Sequence, residues 1–333
     1  MLRWKSAGVV GAVVLALAAT GCVSTSASGS GSKIELSLVA YSTPQAAYEA
    51  IIKAYQQTPE GKNIAFTKSF GASGDQSRAV ESGLKADIVA FSLEPDMTRL
   101  VKAGLVADDW TSQGDKGNVS YSVVSLATRK GNPKGIKDWS DLTKPGVQVI
   151  TPNPFTSGGA RWNVMAAFGA NSSKGANKDA GVAYLNALFK NVPVQDDSAR
   201  KALQTFVNGK GDVMLAYENE AIYAQQQKQP IDYVVPDNTI LIQNPVAVTK
   251  NSQHPVEATA FLRFLFSAQA QQIYADNGYR PIAKDVKANF PTPSGLFTIE
   301  DLGGWTKVTK DFFDPSTGIM AGIEKSLGVS TSK

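Results

Sequence analysis

Four stretches place Gly, Ala, Ser or Thr where a β-rich run gives way to a helical pattern. They are Gly71-Ala72-Ser73-Gly74 before Asp75, Thr156-Ser157-Gly158-Gly159 before Ala160, Asp196-Asp197-Ser198 before Ala199, and Tyr41-Ser42-Thr43-Pro44. A helix N-terminus carries unpaired N–H groups and about half a unit of positive charge, so it binds an anion without a cationic side chain. Small residues let the backbone approach the ligand, and Ser73 and Ser157 add hydroxyl donors. A hydrogen bond to a charged group contributes about 1.5–3 kcal/mol and micromolar affinity needs roughly 8, so several helix ends converging on one anion suffice. Taken singly, each Ser or Gly can equally be a helix cap. Their co-occurrence points to a shared anion, met by loops that include Ser73 and Gly74 at one helix start and Ser157, Gly158 and Gly159 at another.

Other chemistries find little support. The single histidine, His254, sits in the helix-start loop Asn251-Ser252-Gln253-His254-Pro255. The chain has no Gly-x-Ser-x-Gly elbow, no Cys/His metal spacing and no Gly-Lys-Ser/Thr phosphate loop. Ser157-Gly158-Gly159 has the look of a nucleophile loop but lacks a base. No catalytic residue, metal or cofactor is expected.

The elements that must position these loops alternate short β-branched runs with longer helical patterns, the rhythm of an α/β protein. Strands are expected at 34–40, 64–70, 86–92, 121–129, 147–151, 212–217 and 241–249. Helices are expected at 44–57, 75–82, 95–103, 159–168, 180–190, 198–208 and 255–275. The polar stretch from Trp110 to Asn118 and the β-rich runs at 121–129 and 241–249 suit two crossings between lobes. That gives a first lobe over 33–118, a second over 119–240, and a return to the first lobe over 241–333 with the C-terminal helices packed outside. One doubly wound domain with ordinary loops at the same places is the alternative.

The N-terminus bears on compartment. Arg3 and Lys5 precede an apolar run from Ala7 to Ala19 that is too short for a membrane span and breaks at Thr20-Gly21-Cys22, so 1–21 reads as a signal peptide. Small residues before the single cysteine look like a bacterial lipobox, making Cys22 the lipidation site, although a plain signal peptide with a chance cysteine has the same outline. The Ser/Thr/Gly/Ala-rich segment 22–32 then reads as a tether, and a diacylated cysteine would hold the protein on the outer face of the cytoplasmic membrane without a spanning helix. Loss of Arg3 and Lys5 lowers the net charge from +4 to about +2, with the remaining charges interspersed, so nucleic acid is not an expected partner.

Arg129-Lys130-Gly131-Asn132-Pro133, Asp138-Trp139, Lys144-Pro145-Gly146 and Val149-Ile150-Thr151-Pro152-Asn153-Pro154 through Ser157-Gly158-Gly159-Ala160-Arg161-Trp162-Asn163 resemble the sulfate and thiosulfate periplasmic-binding family. Gly71-Ala72-Ser73-Gly74, Gly211-Asp212-Val213, Glu218-Asn219-Glu220-Ala221 and Tyr279-Arg280-Pro281 extend the likeness over about Leu38 to Pro281. The resemblance implies a two-lobed type II periplasmic-binding-protein fold, each lobe a mixed sheet flanked by helices, with the ligand in the cleft. It implies a monomer that delivers sulfate to an ABC permease and its ATPase. It places ligand contacts on Ser42, Ser73, Ser157, Gly158, Gly159 and Ala199. Where the family often has Trp before Glu-Asn-Glu, donating an indole N–H, this chain has Tyr217, whose phenol can donate and also accept. Ser42 and Asp75 replace the family's usual aspartate and lysine. Arg161, in the first turn of its helix, is expected either in an ion pair or in support behind the site, and Glu218 and Glu220 are expected to face water or cap a loop. A site built of donors favours sulfate, which is fully ionised, over phosphate, which keeps a proton; thiosulfate, molybdate and tungstate stay open. A surface enzyme for sulfated or phosphorylated substrates, and an anion-sensing lipoprotein, are the readings from other classes.

Overall fold

The computed structural model describes residues 33–331. The signal peptide, the Cys22 lipidation site and the tether lie outside the described residues. The first strand, β1 (Ile34–Tyr41), alternates Leu36, Leu38 and Ala40 to one buried face and Val39 to the other, as the two-residue period of a strand buried on both sides requires. It pairs in parallel with β2 (Ile64–Gly71) and β3 (Ile88–Ala90). The helices α1 (Gln45–Tyr55), α2 (Ser73–Glu81) and α3 (Glu94–Lys102) follow these strands in turn. Tyr48, Ile51 and Tyr55 of α1 fill one face of this sheet, while Met97 and Leu100 of α3 fill the other.

Two long antiparallel strands join this sheet to the rest. The 12-residue β4 (Asn118–Arg129) pairs through its first half with β8 (Leu241–Val248), and through its second half with β6 (Val213–Tyr217) and β7 (Ile231–Val234). At about 3.3 Å per residue β4 runs roughly 40 Å, more than one sheet needs. In turn β8 leaves β4 after Pro245 and pairs with β3 from Val246 onward. The full order is β2-β1-β3-β8-β4-β6-β5, with β5 (Val149–Ile150) parallel to β6 and β7 beside β4. The helices α4 (Gly158–Asn171), α5 (Lys178–Lys190), α6 (Ala199–Val207) and α7 (Glu218–Gln226) surround the β4–β6–β5 end. This strand order, with two apolar clusters flanking the β2-β1-β3 end and two flanking the β4-β6-β5 end, makes this a two-lobed α/β fold of the type II class.

Two expectations are corrected. The helix over 255–275 is two helices, α8 (Pro255–Leu265) and α9 (Ala268–Asp276), because the Ser267 hydroxyl accepts from the Ala270 amide and starts a new helix. The tail does not return to the first lobe: α10 (Gly304–Phe313) and α11 (Ile319–Ser326) carry Trp305, Val308, Phe312, Met320 and Ile323 into the core that holds Trp162 and Phe168. The reason lies in α4, which is apolar and buried nearly all round and so needs cover on its outer side. Trp305 stands edge-on to Trp162 at 4.7 Å and Phe312 to Phe168 at 4.7 Å. Among the described residues no helix is long and apolar enough to cross a membrane.

Candidate anion site

The parallel strands β1 and β2 end beside the starts of α1 and α2, and the loop after β5 leads into α4. These ends meet around a cavity lined by Tyr41, Ser42, Thr43, Ala72, Ser73, Ser92, Ser157, Gly159, Ala199 and Tyr217. Tyr41 to Ser92 come from the first lobe and Ser157 to Tyr217 from the second, so the cavity sits between them. It measures ≈ 10 Å³, on a scale where one water takes about 10–15 Å³. In this closed arrangement it leaves room for about one water, and so for no sugar or peptide.

Of the residues expected at the site, Ser42, Ser73, Ser157, Gly159, Ala199 and Tyr217 line this cavity, while Gly74 and Gly158 do not. The Gly74 amide donates to the Thr156 carbonyl at 3.1 Å, so it holds the two loops together and is not offered to a ligand. A Cβ on Gly158 would fall 2.2 Å from Leu93 Cδ2 and 3.0 Å from Ser92 Oγ, so this glycine lets α4 pack closely against those two residues. At Gly159 an added Cβ would sit 3.5 Å from Ser157 Oγ and Tyr217 Cε1 and 3.6 Å from the Ala199 Cβ, pointing into the cavity. The amides of Gly158, Gly159 and Ala199 belong to first turns, where no intrahelical acceptor exists.

The hydroxyls differ in what they can still give. Ser157 Oγ accepts from the Ala160 amide at 3.3 Å and keeps its own proton for the cavity. Ser73 Oγ donates to Asp96 Oδ2 at 2.6 Å and accepts from the Ser92 amide at 3.0 Å. Because a carboxylate only accepts, the Ser73 proton is committed, and the expected Ser73 hydroxyl donation is corrected: this residue has only its backbone amide to offer. Thr43 Oγ1 pairs with the Tyr279 hydroxyl at 2.9 Å. Two contributors were missed from the sequence. Ser92 Oγ lies 2.6 Å from the Tyr217 hydroxyl, and the buried Tyr41 hydroxyl has no hydrogen-bond partner although Tyr279 stands near it. Burial, reinforced by neighbouring phenols, holds the Tyr41 and Tyr217 hydroxyls well above the usual tyrosine range, so both stay protonated donors. Ser92 ends an apolar strand without a glycine or a helix cap beside it, so nothing in its local sequence marked it.

No charged side chain lines the cavity, but charges stand behind it. Asp96 is backed by Arg99 at 3.1 Å. The Arg161 Nε donates to the Pro154 carbonyl at 2.9 Å, bracing the loop that starts α4, and its guanidinium lies over Phe313. Burial draws the Arg161 pKa down to about 10, against the pull of Asp96. Asp75 is turned to solvent and paired with Arg78, so it does not oppose an anion in the cavity. Glu218 and Glu220 do not face water. Glu220 is buried and paired with Arg200 at 2.9 Å, and Glu218 is buried and paired with Arg280 at 2.8 Å. Burial raises both carboxyl pKa values, and the paired arginines oppose the rise. Arg200 also donates to the Thr43 carbonyl at 2.9 Å, tying the start of α6 to the loop after β1.

Larger clefts lie elsewhere. One of ≈ 490 Å³ runs between Glu94, Trp110, Lys116 and Trp305, and one of ≈ 520 Å³ holds Asp87 and His254 at the opposite ends of β1 and β3. The first is lined by the carboxylates of Glu94 and Glu300 and the second by those of Glu35 and Asp87, so neither offers an anion a wall of donors alone. Among the described residues no group of three His, Cys, Asp or Glu is placed to hold a metal ion.

Residues 36–280 match the family model described as bacterial extracellular solute-binding protein. A sulfate-binding protein of Synechococcus elongatus is 43% identical over 323 residues, covering 93% of this chain and 92% of the relative. A thiosulfate-binding protein of Escherichia coli is 37% identical over 268 residues, covering 76% of this chain and 79% of the relative. The solved structure of a sulfate-binding protein from Mycobacterium tuberculosis superposes with a TM-score of 0.83 at 44% identity, covering 84% of this chain and 100% of that one.

Proposed function

Since this chain belongs to the bacterial extracellular solute-binding proteins, and among them to the sulfate-binding proteins, we propose that it captures sulfate outside the cytoplasmic membrane and hands it to an ABC importer. The observation that carries this reading is the interlobe cavity, where first-turn amides and hydroxyls converge and no carboxylate or other charged side chain lines the wall. Such a wall offers donors to an anion that has only acceptors, and it excludes water from the bonds so formed. Ser42, Ser73, Ser157, Gly159, Ala199 and Tyr217 are the contacts, with Ser73 acting through its amide. Gly158 supports the site by letting α4 approach Ser92.

The lobes are 33–118 with 241–280, and 119–240 with the two last helices. They meet through Gly74 with Thr156, Arg200 with the Thr43 carbonyl, and Trp162 Nε1 with the Ser92 carbonyl at 2.7 Å. Anion binding favours this closed arrangement, which a membrane permease with its ATPase reads; the chain acts as a monomer. Sequence supports anchoring through Cys22, and Cys22→Ala is expected to move the protein from the membrane to the soluble fraction. A binding role rather than catalysis is supported by the relatives, which are named as binding proteins.

Calorimetric titration with sulfate, thiosulfate, molybdate, tungstate and phosphate tests the assignment. Sulfate is expected to bind with at least micromolar affinity, about 8 kcal/mol or more. Heats from none of the oxyanions would refute the reading, and binding of molybdate or tungstate alone would refute the substrate.

A further inference from the structure

One pair of groups in the cavity wall is not fixed by any charge. Ser73 has its proton committed to Asp96, and Ser157 has one of its two lone pairs committed to the Ala160 amide. Ser92 Oγ and the Tyr217 hydroxyl, 2.6 Å apart and on residues only 1% exposed, bond to each other, and either can be the donor; the Asn244 side chain stands beside the Tyr217 hydroxyl as a further donor. Ser92 is otherwise pinned: its amide donates to Ser73 Oγ, and its carbonyl accepts from Trp162 Nε1 at 2.7 Å and Asn244 Nδ2 at 3.2 Å. Gly158 packs so close behind it that even a Cβ there would lie 3.0 Å from Ser92 Oγ, which leaves the hydroxyl only Tyr217 and the cavity to face.

We propose that Ser92 is a specificity-determining residue: coupled to Tyr217, it forms a reversible hydroxyl pair that lets the cavity take a singly protonated tetrahedral oxyanion as well as a fully ionised one. The inference rests on the oxyanion site described above and deepens it. The two hydroxyls bring two protons. One proton is always used between them and one is always left over. Facing a fully ionised anion, the pair gives that second proton to an anion oxygen, from whichever hydroxyl is the acceptor within the pair. Facing hydrogen phosphate, the ligand O–H donates to one hydroxyl, that hydroxyl donates to its neighbour, and the neighbour donates back to a second ligand oxygen. All three protons then have acceptors. An indole N–H in the place of Tyr217 only donates, and would leave the ligand proton facing a donor. A buried O–H without an acceptor is strongly disfavoured, which is how sites built from fixed hydrogen bonds reject near-isosteric ligands.

Removing either hydroxyl leaves one proton for an anion oxygen but breaks the relay. The test is calorimetric titration of the mature chain with sulfate and with inorganic phosphate, and competition of one against the other, for the wild type, Ser92→Ala and Tyr217→Phe. Wild-type protein is expected to bind both, sulfate more tightly. In each variant the ratio of sulfate to phosphate affinity is expected to rise by about tenfold or more, the size of one hydrogen bond to a charged group. Using two variants guards against one failing to fold, which thermal melting would reveal. If the wild type binds sulfate but millimolar phosphate neither binds nor displaces it, the inference is overturned and the oxyanion reading stands. If both variants weaken sulfate and phosphate by the same factor, Ser92 only packs and the inference is likewise overturned. If sulfate itself fails to bind, the underlying reading falls, and the inference falls with it.

Discussion

The starts of α2 and α4 carry the same Ser-Gly pair one position apart, Ser73 as the first helical residue and Ser157 as the N-cap, and spend it differently. In α2 the Ser73 hydroxyl is bound to Asp96 and the Gly74 amide to the Thr156 carbonyl, so the motif mostly holds protein to protein. In α4 the Ser157 hydroxyl only accepts, from the Ala160 amide, and Gly159 presents an open face to the cavity. One Ser-Gly is spent on the frame, while the other leaves Ser157 and the following Gly159 facing the cavity. The lesson is that a helix N-terminus of the right composition states a capacity, while the partners behind it decide how much of that capacity is left over.

Variants at these positions sharpen or break the contrast. Gly159→Val has room for its Cβ but fills the cavity with its branches; sulfate affinity is expected to fall by about 100-fold or more, the loss of two bonds to a charged ligand, with the melting temperature little changed. A normal affinity by calorimetry would mean that the anion sits elsewhere. Ser157→Ala is expected to weaken sulfate by about tenfold, and to destabilise the fold by about 1 kcal/mol through the lost cap, read by denaturant titration. Ser73→Ala should reverse those proportions. Affinity is expected to change by less than about threefold while stability drops by roughly 1–3 kcal/mol, because Asp96 and the Ser92 amide lose their partner. An affinity loss at Ser73 equal to that at Ser157 would erase the distinction. Gly158→Asp does not isolate binding, since its side chain would collide with Leu93 and Ser92; it is expected to unfold or misfold the protein.

The smallest effect is expected from pH. Sulfate is fully ionised, the cavity wall holds no carboxylate, amine or imidazole, and burial keeps the Tyr41 and Tyr217 hydroxyls protonated beyond the usual tyrosine range. The sign is therefore neutral: affinity should stay flat between about pH 5 and 9, the interval between ordinary carboxylate and phenol pKa values. A steep change measured by calorimetry across that interval would place an unrecognised titrating group against the ligand.

Most of the framework was legible because its signals are local. The alternation in β1, the β-rich run over 121–129 of β4 and the small residues at the starts of α2, α4 and α6 all write themselves into neighbouring positions, whereas the first residues of β4, 118–120, were read as part of a polar boundary. The break at Ser267 was hidden because apolar spacing continues across it, and only the cap shows that one helix ends and another begins. The packing of Trp305 and Phe312 against α4 was hidden because it depends on which apolar surface remains uncovered once the second lobe is formed. At the site, Ser42, Ser157, Gly159, Ala199 and Tyr217 were identified from motif and resemblance. Ser92 and Tyr41 were not, since each acquires its role from a partner far along the chain: Ser92 from Tyr217, and Tyr41 from the cavity that closes over it. The burial of Glu218 and Glu220 was missed for the same reason, because their arginines, Arg280 and Arg200, lie in other elements.

The most direct test of the central claim is the anomalous scattering of selenium in crystals of the protein grown with selenate, a tetrahedral dianion that stands in for sulfate. The account predicts one strong peak between the lobes, with the amides of Gly159 and Ala199 and the Ser157 hydroxyl at about 2.7–3.1 Å from its oxygens. A peak outside that cavity, with the cavity itself empty, would contradict it.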